Sequence, residues 1–124
     1  MTERYLGHCL CGLVKFEARG TPKWVVWCHC ESCRRHSGAP GNVFVSFSDT
    51  EVSVTEGAIT TFESSPGVNR GFCARCGSTL TCTSPRLPGE THYYIGSFDR
   101  AAELKPKGAF FAGERLPWLH PQDE

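Results

Sequence analysis

Charge of one sign, long apolar runs and helical periodicity are all scarce in this chain, and each shortage removes a class of function. Thirteen lysines and arginines face thirteen aspartates and glutamates, with no long block of either. That balance leaves no basic stripe for a nucleic-acid backbone and no polybasic patch for a membrane surface. No apolar stretch approaches the length of a membrane span. The opening MTERYLGHCLCG has a charged start and no apolar segment of the kind a secretory signal carries, so the expected location is the cytoplasm. Internal repeats, low-complexity tracts and linkers are also missing. A chain of 124 residues suits one domain with a modest core, expected to span 1–124.

What is present reads as short strands. LVKFEA (13–18) alternates, with Val14, Phe16 and Ala18 on one face. WVVW (24–27), VFVSF (43–47), VSV (52–54), ITTF (59–62), STLTCT (78–83), HYYIGSF (92–98) and AFFA (109–112) follow, separated by turn residues. Thirteen glycines and eight prolines punctuate them, as expected of a mostly β fold. Helix is confined to one or two turns in CESCRRHSG, ended by Gly38, and to DRAAEL (99–104).

Eight cysteines are many for such a chain, and in a reducing compartment they point to metal rather than to disulfides. Their spacing is C-x-C at Cys9 and Cys11, C-x-C-x-x-C at Cys28, Cys30 and Cys33, and C-x-x-C at Cys73 and Cys76, with Cys82 apart. Zinc takes four sulfur or nitrogen ligands tetrahedrally, and Gly77 after Cys76 supplies the permissive backbone that a metal knuckle needs. The economical partition closes one structural site from Cys9, Cys11, Cys73 and Cys76. Cys28, Cys30 and Cys33 are then one ligand short, the pattern of a catalytic zinc whose fourth position takes water or substrate. His36, three residues after Cys33, could instead close that site, and three metal-free redox thiols are a further alternative. Cys82, in an alternating strand, reads as a small core residue.

These pieces resemble the glutathione-dependent formaldehyde-activating enzyme family. The resemblance is carried by GHCLCGLVKFEA (7–18), CHCESCRRHSGAP (28–40), FCARCGSTL from residue 72, GSFDRAAELKP (96–106) and RLPWL (115–119), in order and across almost the whole chain. It implies a β-tent of small antiparallel sheets and two zinc ions per chain. One would be structural on Cys9, Cys11, Cys73 and Cys76, and one would lie in the active site on Cys28, Cys30 and Cys33. It also implies carbon–sulfur lyase chemistry, run as the joining of a glutathione-like thiol to formaldehyde.

Three thiolates around Zn²⁺ already carry about one net negative charge, so a fourth anionic ligand gains less there than at a histidine-rich site. Arg34 or Arg35 could offset that charge or hold a substrate carboxylate, and His36 could carry protons. The expected catalytic set is Cys28, Cys30, Cys33, Arg34 and His36. The expected partner is a small thiol; self-association is left open. The competing reading is a non-catalytic binding module whose zinc only holds strands together.

Overall fold

A computed structural model of the protein describes residues 3–120. The strands are β1 (Arg4–His8), β2 (Lys15–Arg19), β3 (Trp24–Cys28), β4 (Asn42–Ser48), β5 (Val52–Glu56), β6 (Thr60–Ser65), β7 (Val68–Phe72), β8 (Thr79–Thr83), β9 (Glu90–Tyr94) and β10 (Ala109–Phe110). They form a small sheet ordered β1-β2-β5 and a large one ordered β10-β3-β4-β9-β8-β7-β6. All pairings are antiparallel except that of β10 with β3, which is parallel and only two residues long. One helix, α1 (Glu31–Ser37), ends at Gly38 in the left-handed conformation, as the glycine position predicts. DRAAEL makes only a 3-10 turn over Ala101–Glu103.

Alternation explains why the large sheet has two jobs. Val45 and Phe47 of β4 and Tyr93 of β9 point to the small sheet, where they pack with Val14, Phe16 and Phe98. The next residues along, Phe44 and Tyr94, belong to a second cluster with Cys28, Cys33 and Cys82. The core between the sheets centres on Phe16, whose ring lies 4.9 Å from that of Tyr93 and edge-on to Phe98 at 5.3 Å. Gly7 is the register partner of Phe16, and a methyl group on Gly7 would enter that ring. Glycine is required there by close approach, not by backbone angle.

Two strands were not anticipated. β1 carries Tyr5 and Gly7 inward between exposed neighbours, and the glycine hides the alternation. β7, with the sequence VNRGF, buries Arg70 and Gly71, opposite to what their types suggest. Phe111 is the single non-glycine residue with positive φ among the described residues, at 55°. For a bulky side chain this costs on the order of 1–3 kcal/mol.

Candidate functional site

Two cysteine groups sit on opposite sides of the fold. In the first, the four sulfurs of Cys9, Cys11, Cys73 and Cys76 all lie within 4.8 Å of one another. Cys9 and Cys11 are 3.7 Å apart, and Cys11 and Cys73 3.9 Å. A tetrahedron with zinc–sulfur arms of 2.3 Å has edges of about 3.8 Å, so the donors fit that ion. Each half is a turn closed by a glycine in the left-handed region, Gly12 and Gly77. Gly12 N–H donates to the Cys9 carbonyl, and Gly77 N–H to that of Cys73. The sulfurs are themselves supported: Val14 N–H donates to Cys9 Sγ and Cys76 N–H to Cys73 Sγ. Ser78 ties the halves together, accepting from Leu10 N–H through Oγ at 2.9 Å while that oxygen lies 3.1 Å from Cys76 Sγ. The spacing-based partition of these four residues agrees with this cluster.

The second group lies where β3 passes into α1. Cys28 ends the strand, Cys30 precedes the helix and Cys33 lies in its first turns. Cys28 Sγ donates to Cys33 Sγ at 3.7 Å, again one tetrahedral edge. That bond is the largest influence drawing the Cys33 thiol down to about 6, against burial and with help from Arg70. Cys28, holding the shared proton, is pushed up by the same bond. All three cysteines line a cavity of about 690 Å³.

A cross-strand row runs along that cavity, and all of its members but Ser46 line it. Arg70 on β7 pairs with Cys82 on β8, Cys82 with His92 on β9, His92 with Ser46 on β4, and Ser46 with Trp24 on β3. Arg70 is buried and committed. Its Nη1 donates to Cys33 Sγ at 3.3 Å and to Tyr94 Oη at 3.2 Å, and its Nε donates to Ser64 Oγ. Tyr94 Oη accepts from the guanidinium and also lies 3.1 Å from His36 Nδ1. Burial, and then Arg70, keep His36 below its usual range.

In the middle of the row stands His92, buried as Glu90 is, with His92 Nε2 3.0 Å from Glu90 Oε1. Ser46 Oγ donates to the same carboxylate oxygen, and Lys23 Nζ lies 2.8 Å from Oε2. Although burial pushes the Glu90 carboxyl upward, the bonds from Lys23, His92 and Ser46 hold it below the usual carboxylate range. Burial outweighs Glu90 at His92 and lowers its pKa. His92 itself lines the cavity, and a proton on Nε2 toward the Glu90 carboxylate would leave its Nδ1 as an acceptor.

The residues expected from sequence are thus divided. Cys28, Cys30 and Cys33 meet at the cavity. His36 is bonded to Tyr94 and lies against Phe62, with ring centroids 5.6 Å apart. Arg34 is half-buried and outside the cavity lining, and Arg35 pairs with Glu31 at 2.8 Å. Cys82 is buried, as expected, but forms part of the cavity wall, where burial pushes its thiol up to about 11. Trp24 is likewise cavity wall. Arg70, His92 and Glu90 were missed, since only strand register reveals that they share a face with the thiols.

The profile of the glutathione-dependent formaldehyde-activating enzymes matches residues 4–114. A Halomonas elongata protein, provisionally named a glutathione-dependent formaldehyde-activating enzyme, is 30% identical over 123 residues, 91% of this chain and 78% of its own. An uncharacterized lyase of Schizosaccharomyces pombe is 33% identical over 96 residues, 76% of this chain and 66% of its own. The crystal structure of a Rhodobacter sphaeroides protein superposes with a TM-score of 0.66 at 18% identity, covering 85% of this chain and 99% of that one. No helix among the described residues is long and apolar enough to cross a membrane.

Proposed function

The chain belongs to the glutathione-dependent formaldehyde-activating enzyme family, and from that premise we propose that it is a zinc-dependent carbon–sulfur lyase. It joins a glutathione-like thiol to an aldehyde, or runs the reverse. The observation that carries this reading is the meeting of three thiols, the buried Arg70 and the buried His92 on the wall of one cavity, with the Glu90 carboxylate held against His92.

Cys9, Cys11, Cys73 and Cys76 would hold a structural zinc, and Cys28, Cys30 and Cys33 an active-site zinc. Bound at the second centre, zinc supplies Lewis acidity that favours the thiolate form of an incoming thiol. Arg70 fixes Cys33 and places one positive charge against the three thiolates, a role the sequence suggested for Arg34 or Arg35. His92 Nδ1 takes the thiol proton. Glu90, held by Lys23 and Ser46, keeps the imidazole in the accepting tautomer and offsets its charge once protonated. The sulfur then forms a bond to the carbonyl carbon, the C=O double bond becomes a single bond, and the proton passes from His92 to the oxygen. Electrons and protons balance with no redox partner. Such a protein works in the cytoplasm, where thiols stay reduced.

The test is metal analysis followed by glutathione titration. Two zinc ions per chain are expected, and Cys30→Ser should lose one of them together with activity while the fold survives. A single zinc, removed only by mutating the other four cysteines, would rule the reading out.

A further inference from the structure

Beyond the thiols, most of the cavity wall is apolar: Trp24, Phe44, Leu87, Phe110 and Phe111. Formaldehyde is a single carbon and fills little more than a water's share of liquid, about 30 Å³, in a cavity of about 690 Å³. Glutathione does not account for this wall either, because its ends are carboxylates and an ammonium. The arginines in the lining are Arg70, already committed to Cys33, Tyr94 and Ser64, and Arg86.

The placement of Phe110 and Phe111 is the more telling observation. Ala109, Phe110 and Phe111 all line this cavity, and Phe111 follows directly on the end of β10. Phe111 sits in the left-handed region, φ 55°, a conformation costly for a bulky side chain, and its position on the cavity wall goes with that turn. Trp24 braces Phe110 edge-to-face at 5.0 Å. Even so, Phe110 and Phe111 remain 38% and 46% exposed. They are apolar surface held in place and left open to a ligand.

We propose that the carbonyl substrate of this site carries a flat apolar substituent of aromatic size, so that the product is the thiol adduct of an aryl-type aldehyde. The inference rests on the thiol-adduct reading above. The chemistry is unchanged: the thiol sulfur bonds to the aldehyde carbon, the carbonyl π bond breaks and the thiol proton ends on oxygen. The aryl group lies against Phe110, Phe111 and Trp24.

Two stable thioethers separate this inference from the reading beneath it. S-benzylglutathione and S-methylglutathione differ only in the phenyl ring, and calorimetry on the full chain, as isolated with its metal, measures both without turnover. The benzyl compound should bind at least about tenfold tighter, the scale of burying one ring. Phe110→Ala should abolish that preference. Phe111→Gly should abolish it too, and glycine accepts the positive φ, so its fold is preserved. Equal binding of the two compounds by the wild type, or a preference that both variants keep, would overturn the inference and leave the thiol reading standing. Binding of neither compound would overturn both.

Discussion

Arg70 Nη1 lies 3.3 Å from Cys33 Sγ and 3.2 Å from Tyr94 Oη, so one buried guanidinium joins the cysteine cluster to the strand that floors the cavity. Partners of this kind orient a ligand and typically change metal affinity 10- to 100-fold, in order of magnitude. Arg70→Met should therefore weaken zinc at Cys28, Cys30 and Cys33 by about tenfold or more, with zinc at the four-cysteine group retained. Arg70→Lys keeps the charge but not the planar fork whose Nη1 and Nε reach Cys33, Tyr94 and Ser64 from separate nitrogens, and should restore only part of the affinity. Chelator competition measures both, and unchanged affinity in the methionine variant would remove Arg70 from the site.

The place of His36 gives a sharper expectation. Its Nδ1 is bonded to Tyr94 and its ring packs on Phe62. His36→Ala should leave the zinc count per chain unchanged. Loss of one zinc in this variant would mean that His36 closes the second centre, and would favour a binding module over an enzyme.

For the four-cysteine group the outcome is structural. It ties residues 9 and 11 to 73 and 76, so metal binding there contributes directly to folding free energy. Cys73→Ser should cost one zinc and the cooperative thermal transition together. A variant that unfolds like the wild type would show that the group holds no fold-stabilising metal.

Stability should fall as the solution is acidified, and the sign follows from two groups. His92 is held below its ordinary 6.5 by burial, so below pH 6.5 the unfolded chain binds a proton that the folded chain resists. Glu90 is held below its ordinary 4.5, so its contribution is present above that pH and is lost as pH falls through the folded value. Both make the unfolded state the better proton binder in acid. His92→Gln should flatten the upper part of the decline, and Glu90→Gln the lower part. Urea midpoints against pH provide the measurement, and slopes parallel to the wild type would contradict the assignment.

Gly7→Ala tests the core. The added methyl would enter the Phe16 ring, and overpacking of this kind costs about 1–3 kcal/mol. A neutral result in chemical denaturation would mean that the small sheet can shift away from the large one.

The parts of this molecule legible in its sequence are those fixed by local spacing. Cys73 and Cys76 fall in one turn, Cys28 to Cys33 span a strand end and a helix start, and Gly38 stops that helix. Alternation likewise marked β2. Arg70 and His92 were beyond reach for a physical reason: each is brought to the thiols by register across several strands, and neither stands in a recognisable pattern of its own. An arginine in VNRGF looks like an exposed turn until β6 and β8 enclose it. The facing of Phe111 depends on one backbone torsion, which no residue type announces.

The parallel seam between β10 and β3 has a mechanical consequence. Only the pairs Ala109 with Trp27 and Phe110 with Cys28 join these strands, assisted by backbone bonds from Lys107 to Val25, Trp27 to Gly108 and His29 to Phe110. A seam this short, at the rim of a sheet, has few backbone bonds to break before it opens. The aperture of the cavity and the spacing between Cys28 and the phenylalanine wall are therefore governed by the same few bonds.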